Sequence, residues 1–240
     1  MTDTATKSWL DNDPERVARK AECLKVIDAG IEANCAMAAT DLPCEGRIQG
    51  KVRDIYTLPN EHLLLVATDR QSAFDRILAA VPFKGQVLNL TSAWWFEKTK
   101  HIVPNAVKSV LDPNFTVASK VEVFPVEFVV RGYITGSTDT SLWTHYNKGV
   151  RTYCGIDFPD GLKKNQKLEK NVVTPTTKAE YGDAPMAPAD MIKENYISQA
   201  DYDYCAEKAL AVFKLGQEEA AKKGLILVDT KYEFGKTSDG

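Results

Sequence analysis

Residues 225–235 read Leu-Ile-Leu-Val-Asp-Thr-Lys-Tyr-Glu-Phe-Gly, and this segment leaves the backbone little choice. Leu225 to Val228 is a continuous apolar run, the pattern of a strand buried on both faces. From Asp229 onward the pattern alternates. Asp229, Lys231 and Glu233 share one face, and Thr230, Tyr232 and Phe234 share the other. An acid, a base and an acid therefore follow one another at about 7 Å along a strand that begins in the core. A lysine between two carboxylates suits a nucleoside triphosphate, the ammonium meeting phosphate and a carboxylate holding magnesium. The same ladder also reads as a solvated face of screened ion pairs.

A helix delivers the chain to this strand. Ser198 and Asp201 form a capping box. Tyr202, Cys205, Ala209, Val212, Phe213, Gly216 and Ala220 then recur at helical spacing, and Gly224 takes the C′ position. Asp13-Pro14-Glu15 starts an earlier helix, with Leu24, Ile27 and Ile31 in a stripe expected to pack on the outside of the main domain. Gly46–Leu58 and His62–Thr68 predict two strands joined at Pro59-Asn60-Glu61. Val87–Lys100 predicts a helix whose Trp94, Trp95 and Phe96 are expected in core or lobe packing. Val121–Ile134 is extended but contains Pro125, which a central strand tolerates poorly. Val121–Phe124 is therefore expected to close a first lobe, Pro125 to be the crossover, and Glu127–Val130 to open a second. Such a crossover suits an adenine meeting free backbone groups. Residues 144–170, rich in Lys, Asn, Gly and Asp, predict a long excursion. The organisation read this way is a helical extension over 1–45, a β-rich lobe over 46–124 and a second lobe over 125–240. A chain of 240 residues can bury a core of that size.

Four further stretches carry chemistry. Gly50-Lys51-Val52-Arg53-Asp54-Ile55-Tyr56 sets a glycine and two cations where backbone amides could meet phosphate, or is simply a turn. Thr68–Asp75 follows directly on a strand, and Asp69, Arg70, Ser72 and Asp75 suit an amino or carboxylate group, or a capped turn. Arg131-Gly132-Tyr133-Ile134-Thr135-Gly136-Ser137 has the makings of a phosphate cradle, or of a turn with a surface arginine. Thr174-Pro175-Thr176-Thr177-Lys178-Ala179-Glu180 reads as a lid or substrate loop, or an ordinary polar loop.

The net charge of −3 gives no global basic field, which argues against a nucleic-acid partner. Five scattered cysteines without metal-ligand spacing fit a reducing, cytoplasmic setting. The first fifteen residues carry Asp3, Asp11, Asp13 and Glu15 and no apolar h-region, so no signal peptide is expected, and no run is long enough to span a bilayer. Ser238-Asp239-Gly240 reads as a hairpin turn whose returning strand is not in the sequence, so a shortened chain is expected.

Taken in order, Gly50–Tyr56, Thr68–Asp75, Arg131–Ser137, Thr174–Glu180 and Val228–Gly235 resemble the SAICAR synthetase (phosphoribosylaminoimidazole-succinocarboxamide synthase) family of de novo purine synthesis, in its yeast-like branch. The likeness runs from about Gly46 to Gly235. It implies an α+β, two-lobed, kinase-like or ATP-grasp-like fold with an antiparallel N-terminal sheet and a larger mixed second lobe. It implies ATP, Mg2+, L-aspartate and the carboxylated aminoimidazole ribotide CAIR as partners, with the oligomeric state open. By position it implies that Gly50, Lys51, Val52 and Arg53 cover the ATP phosphates, that Lys231 reaches them from below, that Asp229 lies near the nucleotide and that Glu233 binds the metal. Arg131, with Gly132 and Ser137, would take the ribotide phosphate. Asp69, Arg70, Ser72 and Lys178 would line the CAIR and aspartate side, with Lys178, Lys231 and Arg131 as the catalytic set. The family continues with a strand and an Asp-Glu-x-x-Thr-Pro-Asp-x-Ser-Arg motif that this sequence does not contain. Two other readings are a small-molecule phosphotransferase and a nucleotide-binding remnant without turnover. No His-Arg-Asp-type catalytic loop supports a protein kinase.

Overall fold

The computed structural model describes residues 14–73, 76–178 and 184–238. The expected cap Asp13, the end of the 68–75 stretch at Phe74 and Asp75, Ala179 with Glu180, and Asp239 with Gly240 lie outside the described residues. Helix α1 (Pro14–Glu32) leads into strands β1 (Ile48–Gln49), β2 (Arg53–Leu58) and β3 (His62–Ala67). The hairpin β4 (Arg70–Ala73) and β5 (Arg76–Ala80), helix α2 (Lys84–Thr99), and strands β6 (Val107–Asp112) and β7 (Phe115–Ser119) follow. Then come the long strand β8 (Glu122–Ile134), helix α3 (Leu142–Asn147), the short ladder β9 (Thr152–Tyr153) and β10 (Ile156–Asp157), and strand β11 (Gln166–Val173). Strands β12 (Thr176–Thr177) and β13 (Ala184–Pro185), helices α4 (Pro188–Lys193) and α5 (Gln199–Ala221), and strand β14 (Asp229–Lys236) complete it.

This α+β chain divides into two compact units, one built on residues up to 97 with 106–120, the other on 98–105 with 121 onward. The first holds the antiparallel sheet β1-β2-β3-β7-β6. Its core gathers Tyr56, Leu64 and Val66, with Met37, Leu42, Leu58 and Phe115 packed around them. In the second, β8 is the central strand, flanked by β14 along one edge and by β11 and β12 along the other. Strand and helix periods meet across α5. Val126, Phe128 and Val130 alternate along β8, and Tyr202, Cys205, Ala209 and Phe213 recur along α5 to cover them. Burying each large side chain of this kind contributes about 1.5–3 kcal/mol. The capping box forms as expected, the Asp201 amide donating to Ser198 Oγ at 3.1 Å, and Gly224 ends the helix at φ +68°.

Several expectations are corrected. Residues 121–134 are not split at Pro125, because β8 runs unbroken from Glu122 to Ile134. Proline is accommodated because the β8–β14 register shifts beside it: β8 takes four steps from Glu127 to Val123 where β14 takes two from Glu233 to Gly235. The Pro125 carbonyl still accepts from the Lys178 amide at 3.1 Å. Gly46–Leu58 is not one strand but two, with Gly50–Val52 as the turn. The run Leu225–Val228 precedes β14 rather than starting it, and Leu225 and Ile226 are exposed. Only its last carbonyl, that of Val228, extends the ladder, accepting from the Gly132 amide at 2.9 Å. Trp94, Trp95 and Phe96 are exposed rather than buried, because α2 turns Gly85, against the Ala67 carbonyl, and Asn89, bonded to Pro113 and Thr116, toward the sheet. Leu24, Ile27 and Ile31 are also exposed; α1 makes its close contact through Gly30 against Phe83. The 144–170 excursion is a folded piece with its own cluster of Ile134, Leu142, Tyr146, Tyr153, Phe158, Leu168 and Val172.

Phe213 is fully buried between α5 and β8. Phe213→Ala should lower the unfolding free energy by about 3–5 kcal/mol. Denaturant titration of the purified variant reads this directly, and a loss under about 1 kcal/mol would mean that α5 does not supply the second unit's core.

Candidate active site

The antiparallel register of β8 and β14 decides which charges meet. Asp229 stands opposite Arg131, Lys231 opposite Val129 and Glu233 opposite Glu127. All of these project from the sheet face opposite α5, whereas Thr230 and Tyr232 pair with Val130 and Phe128 on the helix side. Arg131 is buried. It donates from Nε to Thr174 Oγ1 at 2.8 Å and from Nη2 to the Thr140 carbonyl at 3.3 Å, and its Nη1 lies 3.5 Å from Asp229 Oδ2. Lys231 Nζ reaches diagonally to Glu127 Oε1 at 2.6 Å, and the other Glu127 oxygen accepts from Thr176 Oγ1 at 3.1 Å. A cavity of about 410 Å³ opens over these groups, lined also by Gly136, Ser137, Thr138 and Ser141. Gly136 sits at φ +105°, and a Cβ there would collide with Ser141, so only glycine lets this loop close over the cavity.

Some expected members stand apart from this cavity. Gly132 faces α5, where an added Cβ would come 2.7 Å from Gln217 Nε2, so its missing side chain serves close packing there. Lys178 and Glu233 do not line the cavity; they pair with each other at 2.7 Å, each nearly half exposed.

In the first unit, Gly50, Lys51 and Val52 form the β1–β2 turn, with Arg53 opening β2. Asp69 and Arg70 are buried. The Asp69 carboxylate accepts from the Met37 and Gly85 amides, both at 2.8 Å. Arg70 pairs with the fully buried Asp54 at 2.7 Å, so neither Asp69 nor Arg70 presents a free group to a substrate. Ser72 lies half-buried on β4. Chemically, the second-unit cavity offers a guanidinium, an ammonium, hydroxyls and two carboxylates converging on one space, a combination suited to a phosphorylated, metal-bound anion.

The model of the SAICAR synthetase family matches residues 47–240. The chain is 62% identical over 236 residues to the chloroplastic phosphoribosylaminoimidazole-succinocarboxamide synthase of Vigna aconitifolia, covering 96% of this chain and 67% of that relative. This chain belongs to the SAICAR synthetase family. It spans 54–67% of the length of the first curated relatives it matches. Its fold superposes on SAICAR synthase from Saccharomyces cerevisiae, solved with SAICAR, at a TM-score of 0.74 and 31% identity, covering 85% of this chain and 73% of that one. A SAICAR synthetase solved with ADP superposes at 0.67 and 25% identity, covering 81% of this chain and 77% of that one.

Within this family member, the fit of a divalent metal can be judged from the donors. Among the described residues no three His, Cys, Asp or Glu side chains gather into a metal cage. Glu233 is a single, nearly half-exposed carboxylate, and Mg2+ is commonly held by one or two such groups together with substrate phosphates. Asp229, four residues away along the strand, is too far to share the same ion. Glu233 therefore fits a metal that arrives with a nucleotide. Sequence reasoning missed Glu127 and Thr140, and read Thr174 and Thr176 only as part of a lid, substrate or polar loop. Glu127 was legible in principle: it is an acid inside the apolar run Val126–Val130, four residues before Arg131 and hence on the same face. That Thr174 meets Arg131 and Thr176 meets Glu127 gave no signal, since it depends on how β11 and β12 return to β8.

Burial raises the Asp54 carboxyl, but hydrogen bonds from Arg70 and Thr40 outweigh it and hold the group below its ordinary value of 3.8. A depressed value in the folded state contributes stability above the unfolded value, and that contribution is lost as pH falls through the folded one. Asp54→Asn should therefore flatten the acid limb of the stability–pH curve below about pH 4. Acid limbs of equal slope in chemical denaturation would contradict this.

Proposed function

We propose that the chain serves the ATP-dependent joining of L-aspartate to the carboxylate of CAIR, giving SAICAR, ADP and phosphate. The observation that carries the reading is the convergence of Arg131, Lys231, Asp229 and Glu127 on one hydroxyl-lined cavity in a member of this family. Support for the ligands comes from the family structures solved with SAICAR and with ADP. Likeness to the yeast enzyme supports a place beside yeast-type members.

A carboxylate is a poor acyl electrophile because its charge repels an amine and oxide would have to leave. Transfer of the γ-phosphoryl group to the CAIR carboxylate makes an acyl phosphate. The aspartate amine then attacks the acyl carbon, phosphate departs, and the amine proton is lost. The protein's part is alignment and charge neutralisation. In this reading Arg131, with Ser137, anchors the ribotide phosphate. Lys231 neutralises charge on the transferring phosphoryl group, Asp229 lies near the nucleotide, Glu233 would hold Mg2+ together with the nucleotide phosphates, and the metal supplies further charge neutralisation when bound. Lys178, freed from Glu233, faces the acidic substrates. Gly50, Lys51, Val52 and Arg53 cover the nucleotide phosphates. The five cysteines are all free thiols, which supports a reducing compartment, the cytoplasm. No helix among the described residues is long and apolar enough to cross a membrane.

The test is ADP release by the purified chain as a function of CAIR and aspartate, with product identified by mass. Lys231→Gln retains a donor for buried Glu127 but removes the cation. It should cut turnover by about 100-fold or more while leaving the unfolding midpoint near wild type. Full activity in this variant removes Lys231 from the reaction, and phosphoryl transfer to a hydroxyl compound without aspartate would favour a phosphotransferase.

A further inference from the structure

Arg70 commits all three nitrogens of its buried guanidinium to fixed acceptors. Nε donates to the Lys51 carbonyl at 3.1 Å, Nη1 to the Ala38 carbonyl at 2.7 Å, and Nη2 to the Gly50 carbonyl at 3.0 Å and to Asp54 Oδ1 at 2.7 Å. The next carbonyl of the same turn, that of Val52, is taken by Thr68, through its amide at 3.0 Å and its hydroxyl at 2.9 Å. Three successive carbonyls of the β1–β2 turn are thus drawn to one side. In a trans peptide the N–H of the following residue points opposite to the carbonyl, and no peptide bond among the described residues is cis. The N–H groups of Lys51, Val52 and Arg53 are therefore directed away from Arg70. Successive amides with one orientation make an anion-binding concavity.

We propose that Arg70 is a positioning residue for nucleotide binding: its buried fork, held by Asp54, turns the Gly50–Val52 carbonyls inward and so presents the turn's amides to the nucleotide phosphates. The inference rests on the functional reading above for the ligand, and on this chain's own bonds for the device. It reassigns Arg70 from substrate contact to support of the turn. Asp54 is more than a counter-ion. Its second oxygen accepts from the Thr40 amide at 3.0 Å, the Thr40 hydroxyl at 2.7 Å and Arg47 at 3.2 Å, so the carboxylate that holds the fork is itself held on both oxygens. Lysine at position 70 keeps the charge beside Asp54 but cannot reach three carbonyls in a planar fork.

Arg70→Lys separates this role from plain stability. In the nucleotide-free protein, amide hydrogen exchange over residues 50–53 should speed up by about tenfold, since the carbonyls lose their fixed partners. The Kd for MgADP and the KM for ATP should rise by about tenfold, with kcat and the KM for the acidic substrates within about twofold of wild type. Asp54→Asn should move the same quantities in the same direction. Leu64→Ala, a change in the core cluster of the same sheet, serves as control: it should lower the melting temperature without changing MgADP affinity. Wild-type exchange at 50–53 in Arg70→Lys overturns the proposal, as does equal loss of MgADP affinity in Leu64→Ala. Failure of the wild-type chain to bind MgADP overturns the functional reading and the assigned ligand, while the exchange contrast still decides whether Arg70 holds the turn.

Discussion

The pairing of β14 with β8 is the constraint on which the second unit depends. Side chains on a strand alternate between faces, so a slip of one residue would send Asp229, Lys231 and Glu233 under α5 and push Thr230, Tyr232 and Phe234 into the cavity. Burial of Tyr232 and Phe234 against Phe128 and α5 forbids that slip. The chemistry of the open face is thereby fixed by the apolar contacts of the hidden one. The same logic sets the position of the bulge. Pro125 cannot donate to a ladder, and the register shift between Glu233 and Gly235 lets the chains pass it. A side chain at Gly235 would drive into the Glu122 carbonyl, so glycine there belongs to the same device.

The cations of this face are paired before any ligand arrives. An ammonium or guanidinium left alone in a partly buried site is costly to keep charged, and carboxylates and hydroxyls at 2.6–3.5 Å offset that cost. Glu127 is nearly inaccessible, at 4% exposure of its side chain, and holds Lys231 Nζ in one place. In the proposed function an incoming phosphate would meet a cation whose position is already set, with little side-chain entropy left to lose on binding.

Much of this was readable from residue pattern, and the failures have physical causes. The α5 stripe and its cap, the alternation of Asp229–Phe234 and the arginine at the end of an apolar run were legible because period and capping chemistry are local. What failed was non-local. The unbroken passage of β8 through Pro125 depends on a shift of its register against β14, a strand far along the chain. Trp94, Trp95 and Phe96 looked like core because aromatics usually are, yet α2 turns glycine and asparagine toward the sheet instead. Leu225–Val228 has the composition of a buried strand, but β14 reaches β8 only from Asp229, and a strand without a partner does not form. Nothing within the Gly50–Tyr56 stretch announces that its turn is held by an arginine twenty residues on.

Arg70 and Arg131 look alike in sequence, each standing where an apolar strand run meets a polar stretch, and each is buried. Their difference lies in the carboxylate each one faces. Asp54 has no exposed surface and spends both oxygens on neighbours fixed within the fold. A ligand anion could displace it only by leaving a buried charge unpaired, which costs several kcal/mol. Asp229 has 42% of its side chain exposed and meets Arg131 at a looser 3.5 Å. It can rotate into water and surrender its place to a phosphate at the modest cost of a surface ion pair, about 0–1 kcal/mol. An arginine becomes a binding group or a structural one according to how cheaply its existing partner can leave, and on that measure Arg131 is open to a ligand while Arg70 is closed.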